Sequence, residues 1–257
     1  MPTTSIERLT ERLVQIPGVV AVCLGGSRAR REARPDSDWD FGLYYRGWID
    51  TGAVRALGYA GEVVEPGAWG RLVNGGAWLE VDGERVDLLY RDLDTVERWT
   101  GEAEAGRFEI DAVPGYIAGM ATYALAGELA LNRVLTGELR RPAFPAALQE
   151  RAPNVWLGRA AFFLLYADGY AARGEVTACA GALAVAATAA AHARLAEQGV
   201  WTLNEKGLLR RADLSEVETI LSSIGAGPDS LQRAVSHMRS LLRLQRPADL
   251  KLDAAVP

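Results

Sequence analysis

Apolar positions in this chain first recur every three to four residues, then every two, then every three to four again. In "TSIERLTERLVQ" (4–15), Ile6, Leu9 and Leu13 follow helical spacing behind a Thr/Ser start, which predicts an amphipathic helix. Pro17-Gly18 ends it, and "VVAVCL" (19–24) is a β-branched run suited to a buried strand. Gly25-Gly26 turns the chain out of that strand toward a short helix in "SRARREA", which Pro35 closes. Strand character returns at "DWDFGLYY" (38–45), and "DTGAVRALGYA" (50–60) predicts a helix. "GAWLEVDGERVDLLYRD" (76–92) alternates on both sides of Asp82-Gly83, a dipeptide favoured in two-residue type I′ turns, and predicts a hairpin.

From about Asp111 onward the pattern carries no further convincing strand. "GMATYALAGELALNRVL", "VWLGRAAFFLLYADGYAARG", "VTACAGALAVAATAAAHA" and "DSLQRAVSHMRSLLRLQ" all show helical periodicity with Gly or Pro between them. The expected class is therefore α+β, with an N-terminal domain over 1–108 and an all-helical bundle over 109–257. The Ala-rich segment 176–193 is long enough to raise the question of a membrane span. Its Ala content, with Thr177, Thr188 and His192 inside, suits a tightly packed bundle helix better than a lipid-facing one. The polar, amphipathic N-terminus does not read as a signal peptide.

Composition narrows the partners. Over 257 residues, 49% are hydrophobic and 24% charged, which is ordinary for a chain that buries a sizeable core. The formal charge is −5 with no basic tail, which disfavours a long nucleic acid, whose phosphates want a positive surface. Cys23 and Cys179 lie in apolar runs without metal or disulfide spacing and read as buried thiols of a cytoplasmic protein. His192 and His237 have no partner at metal spacing and read as structural. Nothing in the sequence sets the oligomeric state.

The candidate chemistry is carboxylate chemistry. On a strand, Asp38 and Asp40 point one way while Trp39, Phe41 and Leu43 point the other, so the two acids share the open face. Two neighbouring anions repel, and a cation resolves the conflict; hard oxygen donors suit Mg2+. Asp87, mid-strand in "RVDLLY", offers a third carboxylate. Three such groups on adjacent strands can hold two metal ions that align an attacking hydroxyl and a leaving pyrophosphate. Gly25, Gly26 and Ser27 form a turn at which a triphosphate can approach the backbone, with Arg28, Arg30 and Arg31 close by.

Each signal is weak alone; in this order they are specific. Apolar-Gly-Gly-Ser, then Asp-x-Asp with 11 positions from Ser27 to Asp38, then a later strand Asp, resembles the signature of the nucleotidyltransferase superfamily typified by DNA polymerase beta. The resemblance implies a small mixed sheet with flanking helices, two Mg2+ ions and an NTP co-substrate. It also implies phosphate binding at Gly26 and Ser27 and metal ligation by Asp38, Asp40 and Asp87, with Asp87 an alternative proton acceptor. A catalytic domain followed by a helical bundle looks like the aminoglycoside and lincosamide nucleotidyltransferases. "GGSRAR", "SDWDFGLYYR", "VNGGAWLEVDGERVDLLYRDLD", "GELALNRVL" and "LNEKG" resemble stand-alone bacterial nucleotidyltransferase-domain proteins more closely. That group commonly has Gly where this chain has Arg31.

Further candidates each have a plainer reading. Lys206 is one of two lysines among 28 basic residues; it is either a triphosphate contact or a chance retention. Asn204 and Glu205 beside it read as caps of the following helix. Glu128 is either an acceptor-site acid or general base, or a satisfied buried Glu. Trp69, Asn74 and Trp78 form either an acceptor-binding lip or core packing. The expected function is transfer of an NMP, AMP from ATP first, to a hydroxyl of a small-molecule acceptor, antibiotic-like or metabolite, by a cytoplasmic enzyme. The rivals are a toxin–antitoxin-type enzyme that modifies RNA or protein, and a nucleotide-binding regulatory module without catalysis.

Overall fold

The computed structural model describes residues 5–244 and divides into two compact units. The first runs to Ala103 and resumes over Thr122–Ala143; the second comprises Glu104–Ala121 and the chain from Phe144. In the first unit, α1 (Ser5–Leu13), β1 (Val19–Leu24), α2 (Gly26–Ala29), β2 (Trp39–Tyr45), α3 (Thr51–Arg55), β3 (Ala60–Val63), α4 (Gly70–Val73), β4 (Gly76–Val81), β5 (Glu84–Asp92) and α5 (Leu93–Glu104) follow one another. The excursion into the second unit carries a small pair, β6 (Ile110–Asp111) and β7 (Met120–Ala121), before α6 (Ala124–Leu131) and β8 (Arg133–Thr136) return to the first.

Six strands form one mixed sheet in the order β3-β4-β5-β2-β1-β8. Only β2 and β5 are parallel; every other neighbouring pair in that sheet is antiparallel. The type I′ hairpin forms as its sequence dictates, with φ 51° at Asp82 and 85° at Gly83 joining β4 to β5. Alternation then sorts the side chains. Phe41 and Leu43 of β2, Val86, Leu88 and Tyr90 of β5, and Ala77, Leu79 and Val81 of β4 are buried on one face, beneath Leu9 and Leu13 of α1 and Val54 of α3. Each large aliphatic side chain buried there contributes roughly 1.5–3 kcal/mol. The opposite face carries Asp40 and Asp87 toward one end of β2 and β5, and buried Tyr44 and Cys23 toward the other end of β2 and β1.

The expectation of an all-helical chain beyond residue 109 needs correction at β8 and at the β6–β7 pair. Asn132 stops α6 with an extended backbone (ψ 166°), and Arg133–Thr136 adds an edge strand to β1. β3 is a further strand that the pattern did not announce, because three of its four residues face solvent.

The second unit is helical apart from β6 and β7: α7 (Ala146–Ala172), α8 (Val176–Glu197), α9 (Leu208–Arg211), α10 (Glu216–Ser222) and α11 (Pro228–Leu242). Among the described residues α8 is the one helix long and apolar enough to cross a membrane, and most of its apolar length is buried against its neighbours. Trp156 of α7 stacks on His192 of α8 with ring centroids 4.2 Å apart. Glu205 ties this unit together. Its side chain is 7% exposed, accepts hydrogen bonds from the backbone N–H groups of Ile117 and Ala118, and faces His192 at 3.6 Å. At that distance, and with neither His192 ring nitrogen hydrogen-bonded, the histidine contact is one of proximity, and the amides form the clasp.

Burial pushes the Glu205 carboxyl up, but the facing imidazole and the two amides together outweigh it, so its pKa settles below the ordinary 4.5. A depressed folded value stabilises the unit fully above the unfolded pKa and progressively less as pH falls through the folded one. Glu205→Gln should therefore flatten the acid limb of stability against pH in urea unfolding below about pH 4.5; an unaltered acid limb contradicts the clasp.

Candidate active site

The parallel β2–β5 pair sets the site. Its register places Asp40 opposite Asp87 and Phe41 opposite Leu88. Cross-strand partners share a face and neighbouring strands lie about 4.8 Å apart, so Asp40 and Asp87 stand side by side, away from the apolar core. On the far side of β5, Trp78 of β4 lies opposite Asp87, and Glu62 of β3 lies opposite Trp78. One pleat earlier, Asp38 enters β2 beside Arg85, Glu80 lies opposite Arg85, and Ala60 opposite Glu80. The open face thus carries two rows, Asp40–Asp87–Trp78–Glu62 and Asp38–Arg85–Glu80–Ala60.

The Gly-Gly turn presses on this face. Gly25 N–H donates to the Asp40 carbonyl at 2.7 Å, which ties the turn to β2. Gly26 has φ +60°, and a Cβ there would lie 1.7 Å from Asp40 Oδ2. Both the left-handed backbone and the carboxylate demand glycine. Ser27 follows in α2.

Two of the neighbouring arginines have partners outside the turn. Arg28 Nε donates to the carbonyls of Ser37 and Asp38 at 3.2 Å, Nη2 reaches Ser37 O at 2.5 Å, and the guanidinium lies 4.0 Å from the Trp39 ring centre. It fixes the backbone leading into β2, and hence the position of Asp38. Arg30 pairs with Glu32 at 2.9 Å on the surface, and Arg31 takes φ 61° just after α2.

Two candidates for the acceptor side have structural partners. Glu128 of α6 receives both Arg91 Nε (2.5 Å) and Nη2 (2.8 Å), while Arg91 Nη1 donates to Val73 O at 2.7 Å. Glu128 is half-buried, and both oxygens of its carboxylate accept from Arg91. Asn74, with φ 70°, donates to Tyr45 OH at 2.9 Å and accepts from Gly67 N–H at 2.9 Å, so its amide holds the loop around α4. Trp78 is different. It stacks on Trp69 at 4.5 Å, yet half of it is exposed. Lys206 lies in the second unit, exposed, its N–H bonded to Asn204 Oδ1 at 3.1 Å.

A cleft of about 400 Å3 opens over the two rows, lined by Asp38, Asp87, Trp78, Glu80, Arg85 and the Ala60–Gly61 backbone. Within it, Asp38 Oδ1 is buried and has no directed hydrogen bond, although Arg85 Nε lies 2.7 Å away. The two facts agree if the contact is ionic with its N–H poorly aimed. Among the described residues no three His, Cys, Asp or Glu side chains already stand close enough to enclose a metal. The donor set still fits a hard divalent cation: Asp40 and Asp87 on adjacent in-register strands, and Asp38 just before β2 with a buried oxygen that takes no directed hydrogen bond.

Residues 6–98, which hold the turn and all three carboxylates, match the model of the nucleotidyltransferase domain. The chain carries a nucleotidyltransferase domain. A crystal structure of a nucleotidyltransferase-like protein from Exiguobacterium sibiricum 255-15 is similar over 93% of this chain and 73% of its own, at 12% identity and a TM-score of 0.44. No curated protein matches. Nucleotidyl transfer, with an NTP and a divalent metal, is the general chemistry of such a domain.

Sequence reading of this nucleotidyltransferase domain missed Arg85 and Glu80. The signal was available: once "GERVDLLY" is a strand, residue 85 shares the face of Asp87 as Asp38 shares that of Asp40.

Three substitutions separate the roles. Gly26→Ala should cost about 1–2 kcal/mol from backbone strain and displace Asp40, weakening nucleotide binding in a titration. Gly25→Ala should be tolerated, since its added Cβ meets nothing nearer than 3.6 Å; equal behaviour of the two contradicts the cradle. Glu128→Gln should leave Arg91 buried without its counter-ion and lower stability in urea unfolding by about 3 kcal/mol, the low end for such pairs because Glu128 is 21% exposed. A loss of activity with full stability would instead make Glu128 catalytic.

Proposed function

We propose that this protein transfers a nucleoside monophosphate, AMP in the first instance, from an NTP to a hydroxyl of a small-molecule acceptor and releases pyrophosphate. The observation that carries the proposal is the placement of Asp40 opposite Asp87 on the open face, with Gly26 packed against Asp40. Asp38, Asp40 and Asp87 would hold two Mg2+ ions, which when bound neutralise the triphosphate and polarise the reacting oxygens. The turn at Gly25, Gly26 and Ser27 takes the β- and γ-phosphates against its backbone, and a side chain at 26 would push Asp40 out of place beside them. Asp87 faces the cleft and accepts the proton of the acceptor hydroxyl as its oxygen attacks the α-phosphorus.

The acceptor side follows from the same face. Half-exposed Trp78 offers a flat apolar surface beside Asp87, and Glu62 places negative charge next to it. That combination favours an acceptor of antibiotic or metabolite size with a ring face and positive charge. Two buried free thiols are in keeping with a cytoplasmic site of action.

Pyrophosphate release, measured with a panel of NTPs and hydroxylated acceptors, tests the proposal. Asp40→Asn and Asp87→Asn should each lower the rate by about 10²–10³-fold, several kcal/mol of transition-state stabilisation. Retention of the full rate by either variant, or turnover only with RNA or protein acceptors, would overturn it.

A further inference from the structure

Arg85 is the residue on the open face that neither the fold nor the proposed chemistry uses. Its Nε lies 2.7 Å from Asp38 Oδ1 and its Nη2 donates to Asp36 O at 3.1 Å, yet its side chain is 71% exposed. The Asp38 oxygen it faces is itself buried and lacks a directed hydrogen bond. A guanidinium therefore stands against the oxygen that a cation at Asp38 would take. Its own exposure makes departure into solvent cheap. A second carboxylate is at hand: Glu80 is the register partner of Arg85 on β4, exposed, and among the described residues it makes no ion pair. Opposed strand partners on one face are within reach of each other.

We propose that Arg85 is an internal counter-ion for Asp38 that competes with a divalent metal and moves to Glu80 when the metal binds. This rests on the reading of Asp38 as a metal ligand. It accounts for a face with the right carboxylates in the right register that does not stand ready as a metal cage: one ligand is held by a built-in cation. The arrangement keeps the three acids from repelling one another in the metal-free protein and makes metal binding an exchange of cations. Arg85 is thus a positioning residue that sets metal affinity.

Mn2+ binding to the full chain, followed by the electron paramagnetic resonance of the free ion without nucleotide, reads this directly. Arg85→Gln should bind Mn2+ about fivefold more tightly, the order expected from loss of one partly exposed ion pair. Glu80→Gln should bind more weakly, because the displaced guanidinium loses its second partner. In the Arg85→Gln background, Glu80→Gln should then have no effect, whereas a bulk electrostatic role for Glu80 would weaken binding equally in both. Unchanged or weaker binding by Arg85→Gln, with unaltered circular dichroism, would overturn the proposal. Asp38→Asn separates the two ideas: it should abolish the effect of Arg85→Gln. If Asp38→Asn weakens Mn2+ binding while Arg85→Gln leaves it unchanged, the counter-ion role fails and the metal reading stands. If Asp38→Asn binds Mn2+ as tightly as the parent chain, both fail.

Discussion

Like charges forced together by strand register are the constraint on which this domain is organised. β2 and β5 bury Phe41, Leu43, Val86 and Leu88 on one face, and once those residues are in the core, alternation leaves Asp40 and Asp87 no choice of direction. A shift of one residue in either strand would drive an aspartate into the core and an apolar side chain into water. The stability of the apolar layer therefore holds the acids in apposition against their mutual repulsion. Neighbouring groups serve that arrangement. Gly26 gives Asp40 room, Arg28 fixes the backbone before Asp38, and Arg85 supplies positive charge beside it.

The remaining ionic contacts of the first unit fall into a different class. Arg91 and Glu128 join β5 to α6 at 4% and 21% exposure, and Arg91 also takes two backbone carbonyls. Such a pair orients a helix over the sheet; a buried ion pair seldom adds much net stability but is costly to break. Arg46 with Asp94 and Glu97 lies on the surface, where screening leaves little. Burial of the partner decides.

Much of the fold was legible because local rules and the tertiary structure agree. "VVAVCL" is β1 end to end, and Asp82-Gly83 makes the turn its sequence favours. β8 was hidden because "NRVL" continues an apolar helical run, and only Asn132 with its extended backbone breaks it. β3 was hidden because a four-residue edge strand facing solvent has no alternation to display. Within the site, the shared face of Asp40 and Asp87 and the turn at Gly26 follow from a period of two and a glycine pair. The partners of Arg28, Asn74 and Glu128 do not, because they are remote in sequence or depend on a local conformation; Glu128 pairs with a residue 37 positions away. A titratable residue near a site in sequence has an open role until its partner is known.

The central claim is that the open face of this sheet becomes a metal-dependent phosphate site through Asp40 and Asp87. The most direct test is a crystal structure of the chain soaked with Mn2+ and a non-hydrolysable ATP analogue, read in anomalous scattering. The account predicts manganese peaks bonded to oxygens of Asp40 and Asp87, with the triphosphate lying along Gly25–Ser27. Manganese bound elsewhere, or a triphosphate seated away from that turn, would contradict it.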